Sequence, residues 1–324
     1  MKPSTILIAI GAAVTSALLF AGLATQSALA VGFALATPVP IAIVGLGWGS
    51  AAGFIAALAA PILIFVFTGN TPTALTLAVA MTIPTAVCAA LALRRFETAP
   101  SIEAQHGPHD IQSTATATGW MPIARILFVL TTFAAIACVL IGWLLGYDPD
   151  AVRTAMMDAF GESGTELDPA AEVQLENLVS VIVDLVPLIQ PSILTLTLVV
   201  CLHFGSTVAR RSGRLERPKD DLPEATSMPQ DALLLFAVTL AGTFLTGGAG
   251  LVATVFTGAF GTAFALVGLA RLHRRTRGRP ARSLILFVVY TSILFLTFPI
   301  FVFLVIGIVD VWRHGERLLP KRPG

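Results

Sequence analysis

The chain has 324 residues, of which 56% are hydrophobic and only 12% are charged, and its formal net charge is +1. One soluble core cannot bury that much apolar surface, so the composition excludes an ordinary soluble enzyme and predicts a polytopic membrane protein. The small net charge also excludes bulk attraction to nucleic acid.

Apolar stretches long enough for a membrane span of about 20 residues recur along the whole sequence. They lie at 5–25, 29–47, 49–68, 72–93, 122–146, 178–209, 231–246, 249–270 and 283–312. The predicted fold class is all-α: a transmembrane helical bundle with about eight full spans and a last segment divided by a proline. We divide it into a four-span unit (1–95), a flexible cytoplasmic loop (96–121) and a C-terminal membrane unit (122–324).

The N-terminus resembles a cleavable secretory signal. Lys2 precedes an apolar run from Thr5 to Ala24, and the letters SALA end at Ala30. The run is longer than the roughly 7 to 15 residues of a usual signal, and further spans follow at once. This favours a retained first span, although cleavage after Ala30 stays open.

The charges predict the orientation of the bundle. Cations cluster after the fourth, sixth and eighth predicted spans, and acids cluster between the fifth and sixth. The basic positions are Arg94, Arg95, Arg125, Arg210, Arg211, Arg214, Arg217, Lys219 and the stretch 271–282, and the acidic segment is 147–177. Because lysine and arginine accumulate in cytoplasmic loops, we expect a cytoplasmic N-terminus and an acidic segment on the outer side of the membrane.

The acidic segment is expected to be helical. Asp148 and Asp168 each precede a proline, which is the arrangement of a capping carboxylate before the first helical position. Val152, Met156 and Phe160 recur every four residues and give the first helix an apolar face. Such a helix could lie on the outer membrane surface or cover the bundle as a lid, and we favour the surface-lying helix.

The last apolar stretch, 283–312, has two possible courses. Thirty residues make about 45 Å of helix, which is too long for one upright span, whereas two halves of about fifteen are short for two. The chain either crosses once, tilted, or turns back at Pro299. The second course is favoured because it keeps the C-terminal cations on the cytoplasmic side.

No standard catalytic, cofactor or metal motif is present. The stretch GLGWGSAAG approaches a dinucleotide loop, but Ser50 replaces the third glycine and no strand precedes it. The letters HGPHD, at 106–110, stand in a loop rich in small polar residues. The three cysteines lie inside apolar runs, so neither a disulfide framework nor a cysteine metal site is predicted. We therefore expect a protein that is not an enzyme and needs no cofactor.

Few side chains in the predicted spans suggest function. His203 is a candidate intramembrane polar residue, as a proton site or, more simply, a helix-packing donor. Small residues at helical spacing allow backbones to approach closely, within the chain or against a partner. These candidate packing or docking positions are Ala9, Ala13, Ala17, Ala21, Gly261, Ala265 and Gly268.

The stretch LARLHRRTRGRPARS, 269–283, is the most basic part of the chain. Its six arginines are Arg271, Arg274, Arg275, Arg277, Arg279 and Arg282. Each costs about 2.5 to 3.5 kcal/mol at a helix centre, so the stretch must be a turn outside the bilayer. It has no interleaved aromatic residues to stack on bases, and contact with anionic lipid headgroups is the expected role.

The C-terminal third carries a family resemblance. The stretches ARRSGRLERPKDDL, GLARLHRRTRGRPARSLI and FPIFVFLVIGIVDVW resemble, in order and spacing, the YybS-like family of uncharacterised bacterial membrane proteins (domain of unknown function, family 2232), in its alphaproteobacterial type. TPVPIAIVGLGWGSAAG fits the same family. The resemblance implies a multi-span protein of the bacterial inner membrane, so the acidic segment 147–177 is expected in the periplasm. The positions that carry the resemblance are Gly213, Arg214, Pro218, Asp221, Gly268, His273, Pro299, Gly307 and Asp310.

The N-terminal half is also distantly similar to the substrate-binding S components of energy-coupling-factor transporters and to the cell-shape protein MreD. That likeness rests on GLGWGSAAGFIAALAAPIL and the alanine stripe of the first span. It implies a component that binds a small solute and relies on a partner ATPase for transport. The alternative is a non-catalytic membrane scaffold in envelope or cell-shape assembly, which docks membrane-protein partners.

Overall fold

The computed structural model describes residues 2–25, 27–98, 117–162, 168–296 and 298–318. In these ranges the chain is almost entirely helical, and seven helical segments are long and apolar enough to cross a membrane. A bent helix pair follows near the C-terminus. The predicted all-α transmembrane bundle is thus confirmed.

The N-terminal unit contains six α-helices, with a 3-10 turn at Gly22–Thr25 and a π-helical turn at Leu77–Thr82. The helices are α1 (Pro3–Ala21), α2 (Ala28–Leu35), α3 (Pro38–Trp48), α4 (Ser50–Thr68), α5 (Thr71–Thr76) and α6 (Ile83–Ala92). Small side chains hold these helices close together. Gly49 adopts a φ of 98°, and a Cβ built on Gly53 would lie 2.7 Å from the Gly45 Cα. This α3–α4 corner therefore requires glycine.

The C-terminal unit contains eight helices in its described residues. They are α7 (Ile123–Leu144), α8 (Pro149–Glu162), α9 (Pro169–Arg211), α10 (Leu222–Ala225), α11 (Asp231–Gly242), α12 (Gly247–Arg275), α13 (Arg282–Leu296) and α14 (Pro299–Leu318). The largest buried side chains of this unit are Phe260 and Phe264, both on α12. Because α12 contacts α7, α9, α11 and α14, it is the central helix of the unit.

Two short strands join the units. Strands β1 (Arg95–Thr98) and β2 (Ala117–Trp120) pair antiparallel, with Arg95 opposite Trp120. Sequence analysis did not predict this pair inside the loop assigned to 96–121. The HGPHD motif lies outside the described residues.

The second predicted span, 29–47, is broken near its middle. Helix α2 ends at Leu35 and α3 begins at Pro38. Two closely spaced prolines, Pro38 and Pro40, cannot supply the amide donors that a continuous helix would need there. The break exposes backbone carbonyl groups inside the bundle.

The sixth predicted span, 178–209, begins earlier than predicted. Helix α9 runs for 43 residues, about 64 Å, so it extends well beyond a hydrocarbon layer of about 30 Å. Its N-cap, Asp168, accepts a hydrogen bond from the Ala171 amide at 2.8 Å. The predicted caps are thus present, and the second acidic helix continues directly into the membrane span.

The predicted span 231–246 is shorter than a full span. Helix α11 has 12 residues, about 18 Å, and ends at Gly242. A second helix begins only five residues later, at Gly247. Gly247, the first residue of α12, has a φ of 71°, a left-handed conformation that favours glycine, so the chain turns there.

The last hydrophobic segment is bent by 119° between α13 and α14. Pro299 is the first residue of α14, so the predicted division at this proline is correct. Gly261 faces Leu304, and Arg271 pairs with Asp310, so α12 and α14 run parallel. The chain consequently returns toward the end of the bundle from which α13 departed, as the turn-back course requires.

The bundle has two ends of opposite charge. At one end, which we call the basic end, the 210–222 segment contacts both β1 and the end of α12. At the other, the acidic end, Tyr147 contacts Val183, and Arg153 pairs with Asp184 of α9. The separation of charge along the bundle axis is therefore a property of the folded chain.

Candidate functional site at the basic end and in the broken span

Arg217 is the centre of the basic end. Its side chain is buried and donates to the Ala92 carbonyl at 3.1 Å and the Met121 carbonyl at 2.9 Å. It also forms a two-pronged ion pair with Asp220, at 2.7 and 3.0 Å. A guanidinium can satisfy all these acceptors because its donors are fixed in one plane. Arg217 thus joins the end of α6, the start of α7 and the 212–221 segment.

Arg95 and Arg214 connect the 212–221 segment to the N-terminal unit, and the guanidinium group of each stacks on a tryptophan ring. The Arg214 guanidinium lies 4.7 Å from the centre of the Trp48 ring, and the Arg95 guanidinium lies 4.4 Å from that of Trp120. Arg95 also pairs with Glu216 at 3.1 Å. Arg214, a family-pattern position, therefore contacts the end of the broken second span. Such contacts are favourable because the ring face is electron-rich.

The remaining family-pattern positions of this segment shape its turn. Gly213 follows the end of α9. Its φ of 66° is a left-handed conformation that favours glycine. The Pro218 carbonyl accepts from Arg210 at 3.3 Å. Lys219, Asp220, Asp221 and Leu222 line a shallow groove here.

Asp221 connects this segment to the basic stretch. Arg277 donates to both of its carboxylate oxygens, one of them at 2.6 Å. The hydrogen bond from Arg277 is the main cause that holds the pKa of Asp221 below its usual value, and the same bond raises the pKa of Arg277. Both groups are about half exposed, so solvent screens the pair.

Asp310 organises the end of α14. Its buried carboxylate accepts from Arg271 at 2.8 Å and from Arg274 at 2.6 Å. Arg274 also donates to the Pro223 carbonyl at 2.9 Å. Arg271, Arg274 and Arg277 are thus engaged by carboxylates of the protein, which leaves Arg275, Arg279 and Arg282 as the basic-stretch candidates for lipid headgroups.

Glycines set the crossing of α12 and α14. A methyl group on Gly268 would overlap the Phe303 carbonyl, and one on Gly307 would overlap the Phe264 carbonyl. Gly261 lies against Leu304, and Ala265 is buried in the same helix. This contact places the two backbones close enough for Cα–H···O interactions. The small residues predicted on α12 therefore pack inside the chain.

His273 contacts α13. Its Nε2 lies 2.8 Å from the Tyr290 hydroxyl, and the two rings are tilted with centres 6.0 Å apart. None of the α13 side chains is buried. His273 is thus the polar connection between the end of α12 and an otherwise exposed apolar helix.

The other predicted residues lie elsewhere. His203 is exposed on α9, where its carbonyl accepts from Ser206 and Thr207, rather than facing a neighbouring helix. Ala9, Ala13 and Ala17 are buried against the chain's own helices, whereas Ala21 is exposed. The alanine stripe of α1 is thus occupied within the chain and does not form one continuous outer face.

At the break in the second span, polar side chains of other helices donate to backbone carbonyl groups. The Leu35 carbonyl accepts from the Cys201 thiol at 3.2 Å, and the Thr37 carbonyl accepts from the Ser16 hydroxyl at 2.9 Å. The Thr37 side chain is fully buried, and its hydroxyl has no hydrogen-bond partner among the described residues. A buried hydroxyl normally has one, so this group requires an explanation.

Prolines free two further carbonyls, and hydroxyl groups from distant parts of the chain bind both. Pro61 removes the amide donor for the Ala57 carbonyl, which accepts instead from Thr82 in the π-helical turn at 2.7 Å. Pro187 does the same for Val183, which accepts from the Tyr147 hydroxyl at 3.5 Å. Sequence analysis could not identify these partners, because no local pattern connects residues 25 or 36 positions apart.

The arrangement supplies hydrogen bonds and shape rather than reactive groups. In the part of the chain that the structure describes, no three histidine, cysteine or acidic side chains stand together as metal ligands. Comparison with known proteins finds no matching family model, no similar curated protein and no similar solved structure.

Proposed function

We propose that the chain is a membrane-embedded component that binds a small, largely uncharged solute at the break in its second span. The observation that carries the proposal is the buried hydroxyl of Thr37. Like those of Thr195 and Thr257, it has no hydrogen-bond partner among the described residues, but it alone of the three lies where a span is interrupted. An unsatisfied buried hydroxyl costs about 1 to 3 kcal/mol, and a hydrogen bond from a solute would remove that cost. Helices broken near mid-membrane provide such sites in transporters.

The character of the solute follows from the surrounding sequence. No aspartate, glutamate, lysine, arginine or histidine occurs between Lys2 and Arg94. A charged solute would therefore have no counter-charge in this unit, and burying it would cost several kcal/mol. The same lack of ionisable groups supplies no proton carrier, so active transport would need a partner that hydrolyses ATP. No catalytic role is assigned to the chain.

The test removes one hydroxyl group. Native mass spectrometry of the purified wild type should show a co-purifying small molecule, and Thr37→Val should lose it while Thr37→Ser retains it. Thr131→Val is the matched control, because Thr131 is equally buried but its hydroxyl bonds within its own helix to Leu127 at 2.8 Å. Equal retention in Thr37→Val and wild type, or no small molecule in the wild type, would reject the proposal.

The second candidate is a non-catalytic scaffold in envelope or cell-shape assembly. It is favoured by α13, on which no side chain is fully buried and several apolar side chains, Phe287 and Leu294 among them, are exposed. Affinity purification from membranes distinguishes the two: a scaffold brings down a membrane protein, and Phe287→Glu should abolish that contact. A co-purifying solute without a protein partner supports the first candidate.

The proposed setting is the bacterial inner membrane, with the basic end in the cytoplasm and the acidic end, including 147–177, in the periplasm. The separation of charge between the two ends supports this orientation. Arg275, Arg279 and Arg282 would then contact anionic headgroups, each contributing about 1 kcal/mol near the surface. A fluorescent or cysteine-accessibility tag in the 271–282 turn that reported from the periplasm would overturn it. Membership of the YybS-like family stays a prediction.

A further inference from the structure

The outer part of α9 has an apolar face that no other helix covers in the described part of the chain. Tyr147, which follows α7, contacts Val183, so residues of α9 that precede Val183 extend beyond the outer end of α7. Leu178, Val181 and Ile182 lie in this extension and are between 44% and 57% exposed. Apolar side chains in such a position face headgroups or water instead of the hydrocarbon layer.

The face continues as a stripe along the helix. Its exposed members are Leu178, Val181, Ile182, Leu185, Ile189, Ile193, Leu196 and Val200. At 100° per residue these positions lie on one side of α9, opposite most of its buried positions, and Ser192, which contacts Gly258 of α12, lies at the edge of the stripe. Glu176 and Asp184 lie off the stripe, and Asp184 pairs with Arg153. No charged side chain therefore interrupts the apolar face.

We propose that this face is the contact between two copies of the chain, related by a two-fold axis along the membrane normal. Copies of a membrane protein share one orientation, so a symmetric pair brings the two α9 helices together in parallel. The outer exposed residues follow the seven-residue repeat of a coiled coil, whose positions are named a to g. Leu178 and Leu185 occupy position d, and Ile182 and Ile189 occupy position a. Isoleucine at a and leucine at d favour parallel two-stranded packing.

The size of the face agrees with a specific dimer. The exposed parts of the eight side chains present on the order of 700 Å² in each copy, so a symmetric pair would bury about 1,400 Å², within the range of standard specific interfaces. The charges also agree. In this register Glu176 and Asp184 occupy positions b and c, which point away from the partner helix, so the pair places no like charges against one another.

Cysteine cross-linking in native membranes tests the contact. Leu178→Cys, Ile182→Cys and Leu185→Cys should each form a disulfide-linked dimer on mild oxidation, because a and d residues of paired helices approach one another. Glu176→Cys and Asn177→Cys are matched controls at the same depth, and they should link at least about tenfold less. The three native cysteines are buried and can remain in place.

A second measurement uses the uncross-linked protein. The wild type should be a dimer by native mass spectrometry in lipid nanodiscs, whereas Ile182→Glu should be monomeric with unchanged helix content and Asn177→Glu should stay dimeric. Cross-linking that is uniform around the helix, cross-links to a different protein, or a monomeric wild type would each overturn the proposal.

Discussion

The hydrogen bond between Thr82 and the Ala57 carbonyl allows a quantitative test of how this bundle tolerates proline. Thr82 is fully buried and its hydroxyl lies 2.7 Å from that carbonyl, which Pro61 deprives of its helical donor. Thr82→Val keeps the shape and removes the donor. An unsatisfied buried carbonyl costs about 1 to 3 kcal/mol, whereas hydrogen bonds within membranes average about 0.6 kcal/mol. We expect a loss of about 1 to 2 kcal/mol.

The expected loss depends on Pro61, which makes a double-mutant cycle decisive. In Pro61→Ala the restored amide can bond to the Ala57 carbonyl, so adding Thr82→Val should then cost less than about 0.5 kcal/mol. Reversible unfolding in bicelles measures all four free energies. Thr131→Val, whose hydroxyl bonds within its own helix, controls for the loss of a buried hydroxyl. An equal cost of Thr82→Val with and without Pro61 would refute the reasoning.

Three further predictions concern the basic end. Asp310→Asn should destabilise the protein by about 3 kcal/mol in bicelle unfolding, because it leaves two largely buried arginines without their carboxylate; a loss below about 1 kcal/mol would contradict this. Gly268→Ala should cost about 1 to 3 kcal/mol by forcing α12 from α14, whereas Gly11→Ala, at an open position, should cost nothing. The lowered pKa of Asp221 means that its pair with Arg277 stabilises the fold above about pH 4, the value in the unfolded chain, and is lost as pH falls through the lower folded pKa. In Asp221→Asn, the free energy of unfolding should therefore fall less below about pH 4 than it does in the wild type.

The predicted span boundaries were most accurate where apolar runs ended in charge or proline. Helix α14 begins at Pro299, and Asp168 caps α9, as local chemistry requires. The predictions were less accurate where neighbouring residues alone do not decide the course of the chain. The short α11 lies inside an apolar run of nearly span length. Hydropathy measures how well a segment dissolves in lipid, and it does not show whether the helix is continuous within that segment.

The basic stretch shows the same distinction for side chains. From sequence, the six arginines from Arg271 to Arg282 are equivalent cations that exclude the stretch from the bilayer. In the fold, Arg271 and Arg274 share Asp310, and Arg277 binds Asp221. These partners are 36 to 56 residues away along the chain. Arg217, the most connected cation of the basic end, likewise has no local signature.

The sequence alone determined the helical membrane class, the approximate spans and the separation of basic from acidic segments. Those properties follow from the transfer free energies of single residues and from local capping, which act over a few neighbouring positions. Only the tertiary structure decided which hydroxyls bind the carbonyls that the prolines leave free, and that Thr37 has no partner among the described residues. Hydrogen bonds require specific atoms to meet, and helix packing determines which distant residues do.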